Sequence, residues 1–185
     1  MKKTVLTFGL ISGVVSAAMM LATVPFIDRI GFDKGVIVGY TGIVLSFMLV
    51  FFGIRSYREN VGGGRITFGR AVAVGILITL ISCVFYVITW EIIYFNFMPD
   101  FADKYTAYAV EKAKASGANA QQVEATVQQM KDMKAMFDNP LTNAALTFTE
   151  PFPIGLIISL ISAAVLRKKK SDGVTSNEQP VAANL

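Results

Sequence analysis

Ala71-Val-Ala-Val-Gly-Ile-Leu-Ile-Thr-Leu-Ile-Ser-Cys-Val-Phe-Tyr-Val-Ile-Thr-Trp90 runs for 20 residues without a charged side chain. A helix needs about 20 apolar residues to cross a hydrocarbon core about 30 Å thick. Three more charge-free stretches flank this one: Val5–Ile27 with 23 residues, Gly35–Ile54 with 20 and Pro151–Leu166 with 16. Across all 185 residues, 54% are hydrophobic and 16% charged, with a mean hydropathy of +0.54. A soluble domain carries about a quarter charged residues. The composition excludes a soluble enzyme, a nucleic-acid binder and a secreted disulfide domain. It predicts an all-α integral membrane four-helix bundle, with spans at about 5–27, 35–54, 71–97 and 147–166.

The residue inventory restricts the chemistry. The chain has no histidine, which removes imidazole acid–base catalysis, histidine metal ligands and a histidine pH switch. Its one cysteine, Cys83, lies among Ile, Leu and Val, where a thiol reads as a small packing group rather than a nucleophile. Ser12, Ser16, Ser46, Ser82, Ser159 and Ser162 lie within the spans. With no base at matching depth, they read as hydroxyls bonding back to their helices. Gly62-Gly63-Gly64-Arg65 lacks the Gly-Lys-Ser/Thr that a phosphate loop requires; it reads as a flexible turn. No catalytic, cofactor or metal residue is assigned, and enzymatic activity is not expected.

Charge placement gives topology. Met1-Lys2-Lys3 followed by an apolar run has the look of a secretory signal, and Val15-Ser16-Ala17 resembles a cleavage site. The run continues to Ile27, however, beyond the 7–15 residues of a signal core, so an uncleaved first span is expected. With four spans, one side holds ten basic and three acidic residues, while the other holds seven basic and nine acidic, leaving Glu91 aside. The dense clusters all fall on the first side: Lys2 and Lys3; the loop bearing Arg55, Arg58, Arg65 and Arg70; and Arg167-Lys168-Lys169-Lys170. The positive-inside rule puts that side, with both termini, in the cytoplasm. The arginines form a cytoplasmic basic face near anionic headgroups. Residues 171–185 are expected to form a disordered tail.

The outer segment, about 99–139, has helical periodicity of its own. Phe101, Tyr105 and Tyr108 recur on one face, and Ser116-Gly117 is a stop. Asn119 is a candidate N-cap for a second helix carrying Val123, Val127, Met130, Met133 and Phe137, ended by Asn139-Pro140. These helices predict a small extracytoplasmic cap, packed on itself or lying on lipid. Tyr40, Trp90, Tyr94 and Tyr105 belong near the outer interface.

Small residues recur every fourth position in each span. Gly9, Gly13 and Ala17 mark the first; Gly35 with Gly39, and Gly42 with Ser46, the second. Ala71, Gly75 and Thr79 mark the third; Gly155, Ser159 and Ala163 the fourth. Helices in lipid associate by close backbone approach at such positions, so Gly9, Gly13, Gly39, Gly75 and Gly155 are candidate packing residues. The likeness of Gly75–Cys83 to Gly155–Ala163 suggests an inverted repeat; the simpler reading is chance within a restricted membrane alphabet.

Four segments carry a resemblance. They are Phe52-Gly53-Ile54-Arg55-Ser56-Tyr57-Arg58, the turn with Ile66-Thr67-Phe68, Met98-Pro99-Asp100-Phe101-Ala102-Asp103-Lys104-Tyr105, and Phe148-Thr149-Glu150-Pro151-Phe152-Pro153-Ile154-Gly155. With the four-span layout, they make the chain, over about 1–170, similar to the bacterial domain-of-unknown-function family numbered forty-one ninety-nine. The resemblance implies an inner-membrane protein without an assigned activity. It carries over no functional residues.

Two acids stand at the outer ends of the spans. At 1.5 Å per residue, Glu91 lies about 30 Å above Ala71, and Glu150 about 24 Å above Leu166. Charges at that depth face the bundle and take partners. The plain expectation is an ion pair with Arg29 or Lys34, or solvation at the interface. The sharper one is a cation or proton site formed by Glu91 and Glu150, with Asp28 or Asp33. The expected role is a non-enzymatic envelope component acting through membrane lipid, a protein partner or a second copy, with no cofactor and no nucleic acid. The alternative is a small oligomeric transporter or channel-like protein using the carboxylate site. Transport requires polar residues along an internal path at mid-depth, whereas an accessory role is compatible with a dry bundle.

Overall fold

The charge-free stretches are helical in the computed structural model, which describes residues 1–168. Backbone polar groups have no water to bond in lipid, so a helix that satisfies them internally is the stable form for such segments. Four helices are long and apolar enough to cross a membrane, and the chain is a multi-pass membrane protein. The expected tail at 171–185, and Lys169 and Lys170 of the basic cluster, lie outside the described residues.

The first span, α1, covers Lys2–Thr23 and gives way to a tight turn at Val24–Phe26. A single helical turn, α2, follows at Ile27–Ile30. Gly31, at φ +80°, reverses the chain, a conformation that costs glycine little. The second span, α3, runs Phe32–Asn60. It is longer than the charge-free stretch at both ends: Asp33 and Lys34 form its first turn, and Arg55 and Arg58 sit on its last turns rather than in a loop. Polar residues at helix ends reach the interface, so they do not stop a helix as they would mid-membrane.

The connection to α4, Phe68–Ile92, is an ordered turn. Gly63 and Gly64 take φ +57° and +78°, and the Gly64 N–H donates to the Arg58 carbonyl at 2.9 Å. Thr67 caps α4 by accepting from the Arg70 N–H. The basic turn is also joined to the end of the fourth span. The Lys168 N–H donates to the Ile66 carbonyl at 3.1 Å, and the Arg58 guanidinium donates to the Leu166 carbonyl at 3.3 Å.

Beyond α4, a wider turn at Ile93–Phe97 extends the span outward. The cap follows as α5 (Phe101–Ala115) and α6 (Ala120–Phe137). Gly117, at φ +83°, separates them. Asn119 and Gln122 form a reciprocal capping box, and α5 packs on α6. A third outer helix, α7 (Pro140–Phe148), leads into α8 (Pro151–Leu166). The helical segment that carries the fourth span thus starts at Pro140, with α7 preceding α8. Asn139 explains that start: its side chain accepts from the N–H groups of Leu141 and Thr142. Asn139-Pro140 ends one helix and starts the next.

The spans form a ring in the order α1, α4, α8, α3. Gly9 faces Ile81 and Gly13 faces Phe85, so α1 and α4 run parallel. Gly155 faces Phe47, and Leu166 meets Arg58, so α8 and α3 run parallel. Phe47, Val50, Ile54, Val74, Ile78 and Cys83 are fully enclosed. Hydroxyls at mid-depth bond to protein: Ser12 donates to the Ser46 carbonyl at 2.9 Å, and Ser159 to the Gly155 carbonyl at 2.7 Å.

Gly75 lies opposite Ser159, and Gly155 opposite Thr79. The two similar segments are therefore the two sides of a single antiparallel crossing, which needs a glycine and a hydroxyl residue from each helix. One packing expectation is corrected. Gly39 is exposed, with nothing within 4 Å of where its Cβ would lie. Instead Gly42 and Ser46, one and two turns further along the same face of α3, meet α1 at Met19 and Ser12.

Candidate functional site

The outer end of the bundle gathers aromatic side chains from three elements. Tyr86 and Trp90 of α4, with Tyr94 of the wider turn that continues it, repeat every fourth residue along one side. On α5, Phe101, Tyr105 and Tyr108 turn toward Phe32 at the start of α3. The ring centroids of these three lie 5.7, 5.3 and 5.1 Å from that of Phe32. Trp90 meets Phe101 edge-on at 5.1 Å. Edge-to-face pairs at such distances add to the gain from burial alone. The cap is therefore docked on the spans.

Ion pairs hold the same docking at its rim. Lys104 lies 3.0 Å from Asp28 and 3.1 Å from Asp100, and Lys112 lies 2.6 Å from Asp33. Hydrogen bonds donated to these carboxylates hold both ammonium groups above the ordinary lysine range. Lys134 of α6 lies 3.1 Å from Asp103 of α5.

Asn143 anchors α7. Its carbonyl oxygen accepts from the Trp90 indole N–H and the Thr147 hydroxyl, each at 3.1 Å, while its amide donates to the Phe137 carbonyl at 2.9 Å. It is fully buried, and its bonds tie α4, α6 and α7 together. The sequence reading missed it. The available signal was an amide four residues after the Asn139 cap, on the same side as Thr147.

Glu150 occupies the break between α7 and α8. Pro151 has no N–H, and its ring clashes with the preceding turn, so the helix is interrupted there. Glu150 accepts a hydrogen bond from the Tyr86 hydroxyl at 3.1 Å. Two cavities meet at this pair. One, of about 200 Å³, extends between α1 and α3 past Met19, Met20 and Gly39. The other, of about 280 Å³, extends under the cap past Met130, Met133 and Phe137. Val36, Tyr86, Trp90, Phe101, Tyr105 and Glu150 line both.

The expected grouping of acids and Arg29 is not what the structure forms. Among the described residues, neither Glu91 nor Glu150 makes an ion pair, nor does Arg29, and Asp28 is engaged by Lys104. Glu91 lines neither cavity, and its Oε1 is buried without a hydrogen-bond partner. The physical reason is helical phase. Five residues separate Tyr86 from Glu91, turning Glu91 well away from the face that meets Glu150. Among the described residues, no group of three or more His, Cys, Asp or Glu side chains could hold a metal ion. On the opposite end, Arg55, Arg65 and Arg70 are exposed, and Arg58 is half-buried beside Glu59 and Leu166.

A family model described as protein of unknown function (DUF4199) matches residues 7–168. No curated protein and no solved structure matches the chain.

Proposed function

The chain belongs to that family of unknown function, and from this membership and the outer cavity we propose a non-enzymatic component of the bacterial inner membrane that holds a membrane amphiphile beneath its cap. The observation carrying the proposal is the pair of joined cavities. Their walls are mostly methionine, aliphatic and aromatic side chains, with a few hydroxyls and Lys134, and a carboxylate stands where they meet. A concave, mostly apolar site with few polar groups suits a small amphiphilic ligand. Gly39 adds width on the α3 side, since no atom lies where its side chain would be.

A translocation path is the second reading, favoured by Glu150 in the cavity. The inner half of the bundle weighs against it. Phe47, Ile54 and Ile78 fill the centre, and Ser12, Ser46 and Ser159 donate to backbone carbonyls rather than lining a channel. Cytoplasmic termini are supported by the basic residues gathered at the end opposite the cap.

Native mass spectrometry of protein extracted in mild detergent tests the proposal. One amphiphile per chain is expected to remain bound to the parent. It should be lost from Gly39→Phe, which fills the cavity without entering a helix contact. A parent that retains nothing, or a variant that retains the same amphiphile, overturns it.

A further inference from the structure

The geometry points to a specific class of occupant: an amphiphile with an alkylated ammonium headgroup, held by Glu150 and the surrounding aromatic rings, with its hydrocarbon tail along the methionine and valine wall between α1 and α3. This assignment rests on the amphiphile-holding reading above and specifies its ligand.

Glu150 is the sole charged residue on the first cavity's wall. The second adds only Lys134, which lies 3.1 Å from Asp103. Glu150 receives one protein hydrogen bond, from Tyr86, whereas an ionised carboxylate can accept about four. The site is therefore short of positive charge. Trp90, Phe101 and Tyr105 line the same space. Their π faces attract cations, most strongly the indole. A carboxylate among aromatic rings suits an organic ammonium, which is large and weakly hydrated.

The competing occupants fit less well. A small metal ion would need several oxygen ligands, and Glu150 is the only carboxylate on either wall. An anionic headgroup would meet Glu150 with like charge. A neutral amphiphile would leave the carboxylate underbonded while removing its water, at a cost that a charged partner offsets. Met19, Met20, Val24 and Val36 then provide an apolar run leading away from the charge.

Trp90 is the one tryptophan in the chain, so its emission reads occupancy at this site. The full chain in maltoside micelles is titrated with decyltrimethylammonium, decyl sulfate and decyl glucoside. The ammonium probe is expected to saturate the Trp90 response at a mole fraction at least tenfold below the other two. Glu150→Gln is expected to remove that tenfold preference. Asp132→Asn, at an exposed acid outside the cavity, should keep it. Because the comparison of three probes uses the parent protein, it stands even if Glu150→Gln does not fold.

Equal saturation by all three probes overturns the ammonium assignment and leaves the amphiphile reading standing. No saturable response to any probe overturns both. A preference retained in Glu150→Gln removes Glu150 from the site and overturns the assignment. The source of the ammonium is separated in nanodiscs of phosphatidylglycerol with and without phosphatidylcholine. Competition by the choline lipid identifies a membrane headgroup, and no competition identifies a non-phospholipid alkylammonium amphiphile; either arm supports the ammonium chemistry.

Discussion

Gly13 of α1 lies so close to Phe85 of α4 that a Cβ on it would fall 2.7 Å from the ring's Cγ. That distance is far inside van der Waals contact, and the ring cannot withdraw without opening the parallel seam. Gly13→Leu is therefore expected to destabilise the bundle by at least the roughly 1–3 kcal/mol of an overpacked core. Thermal unfolding in detergent should show a clear fall in Tm. Leu10→Ile, at an exposed position of α1, should leave it nearly unchanged. Gly39→Ala should leave it unchanged or raise it, since Ala is the better helix former by about 1 kcal/mol. A Gly39→Ala loss matching that of Gly13→Leu would contradict the structure.

Lys112 and Asp33 hold the cap to α3 across 79 residues of sequence. The ammonium's folded-state pKa is raised by the hydrogen bond to Asp33, with a further bond to Tyr108. A raised lysine contributes its stabilisation fully below its unfolded value, about 10.4, and loses it as pH rises through the higher folded value. The pair is exposed, so salt should weaken it too. Acrylamide access to Trp90, which contacts Phe101 of the cap, should therefore increase above about pH 10 and in high salt. Lys112→Gln should show the high access already at neutral pH, with a weaker further change. An access curve independent of pH, salt and Lys112 would rule out the rim pairs as a cap latch.

Glu91 carries a buried oxygen with no partner. An unsatisfied buried polar group costs about 1–3 kcal/mol, and more when charged. Glu91→Met, which keeps the length and removes the oxygens, is expected to raise Tm by the equivalent of about 1 kcal/mol. Glu91→Gln should gain less, because its amide still needs partners. A large loss of stability in Glu91→Met would mean that the carboxylate has a partner outside this chain.

Orientation is tested by single-cysteine labelling on a Cys83→Ala background. Arg65→Cys, in the exposed basic turn, should react only with reagent admitted to the cytoplasm. Asn119→Cys, exposed on the cap, should react only from outside. Reaction of both from one side would break the four-span topology.

The sequence made the spans legible because lipid imposes one rule on every residue of a crossing. Ala71–Trp90, and Val5–Ile27 as far as Thr23, could hardly be anything but helix. The cap's two helices were legible from Phe101, Tyr105 and Tyr108, and from the Asn119 cap, since local periodicity suffices there. The partners of Asp28 and Asp33 were not. Lys104 and Lys112 lie 76 and 79 residues away, and exposed charges carry no pattern that selects one partner from five lysines. Gly39 was misplaced although it shares a face of α3 with Gly42 and Ser46: at its depth the cavity separates α3 from α1, and residue spacing does not report how far apart two helices stand. The candidate site was half-visible. Glu150 was singled out by depth, but its meeting with Tyr86 depends on a break at Pro151 and on helical phase.

The parallel pairing of α1 with α4 also has a consequence in time. Gly9 and Gly13 have their partners, Ile81 and Phe85, roughly 70 residues downstream. A chain elongating at about 5–20 residues per second therefore leaves the first hairpin, finished at Asn60, waiting about 1–5 s for Phe85 with its glycine seam turned to lipid. During that interval α1 and α3 have each other but not the helix that locks them. A nascent chain halted at Asn60 is a hairpin whose groove at Gly9 and Gly13 is unfilled. Substitutions along that seam should thus reduce the yield of assembled protein more than the Tm of molecules that complete assembly.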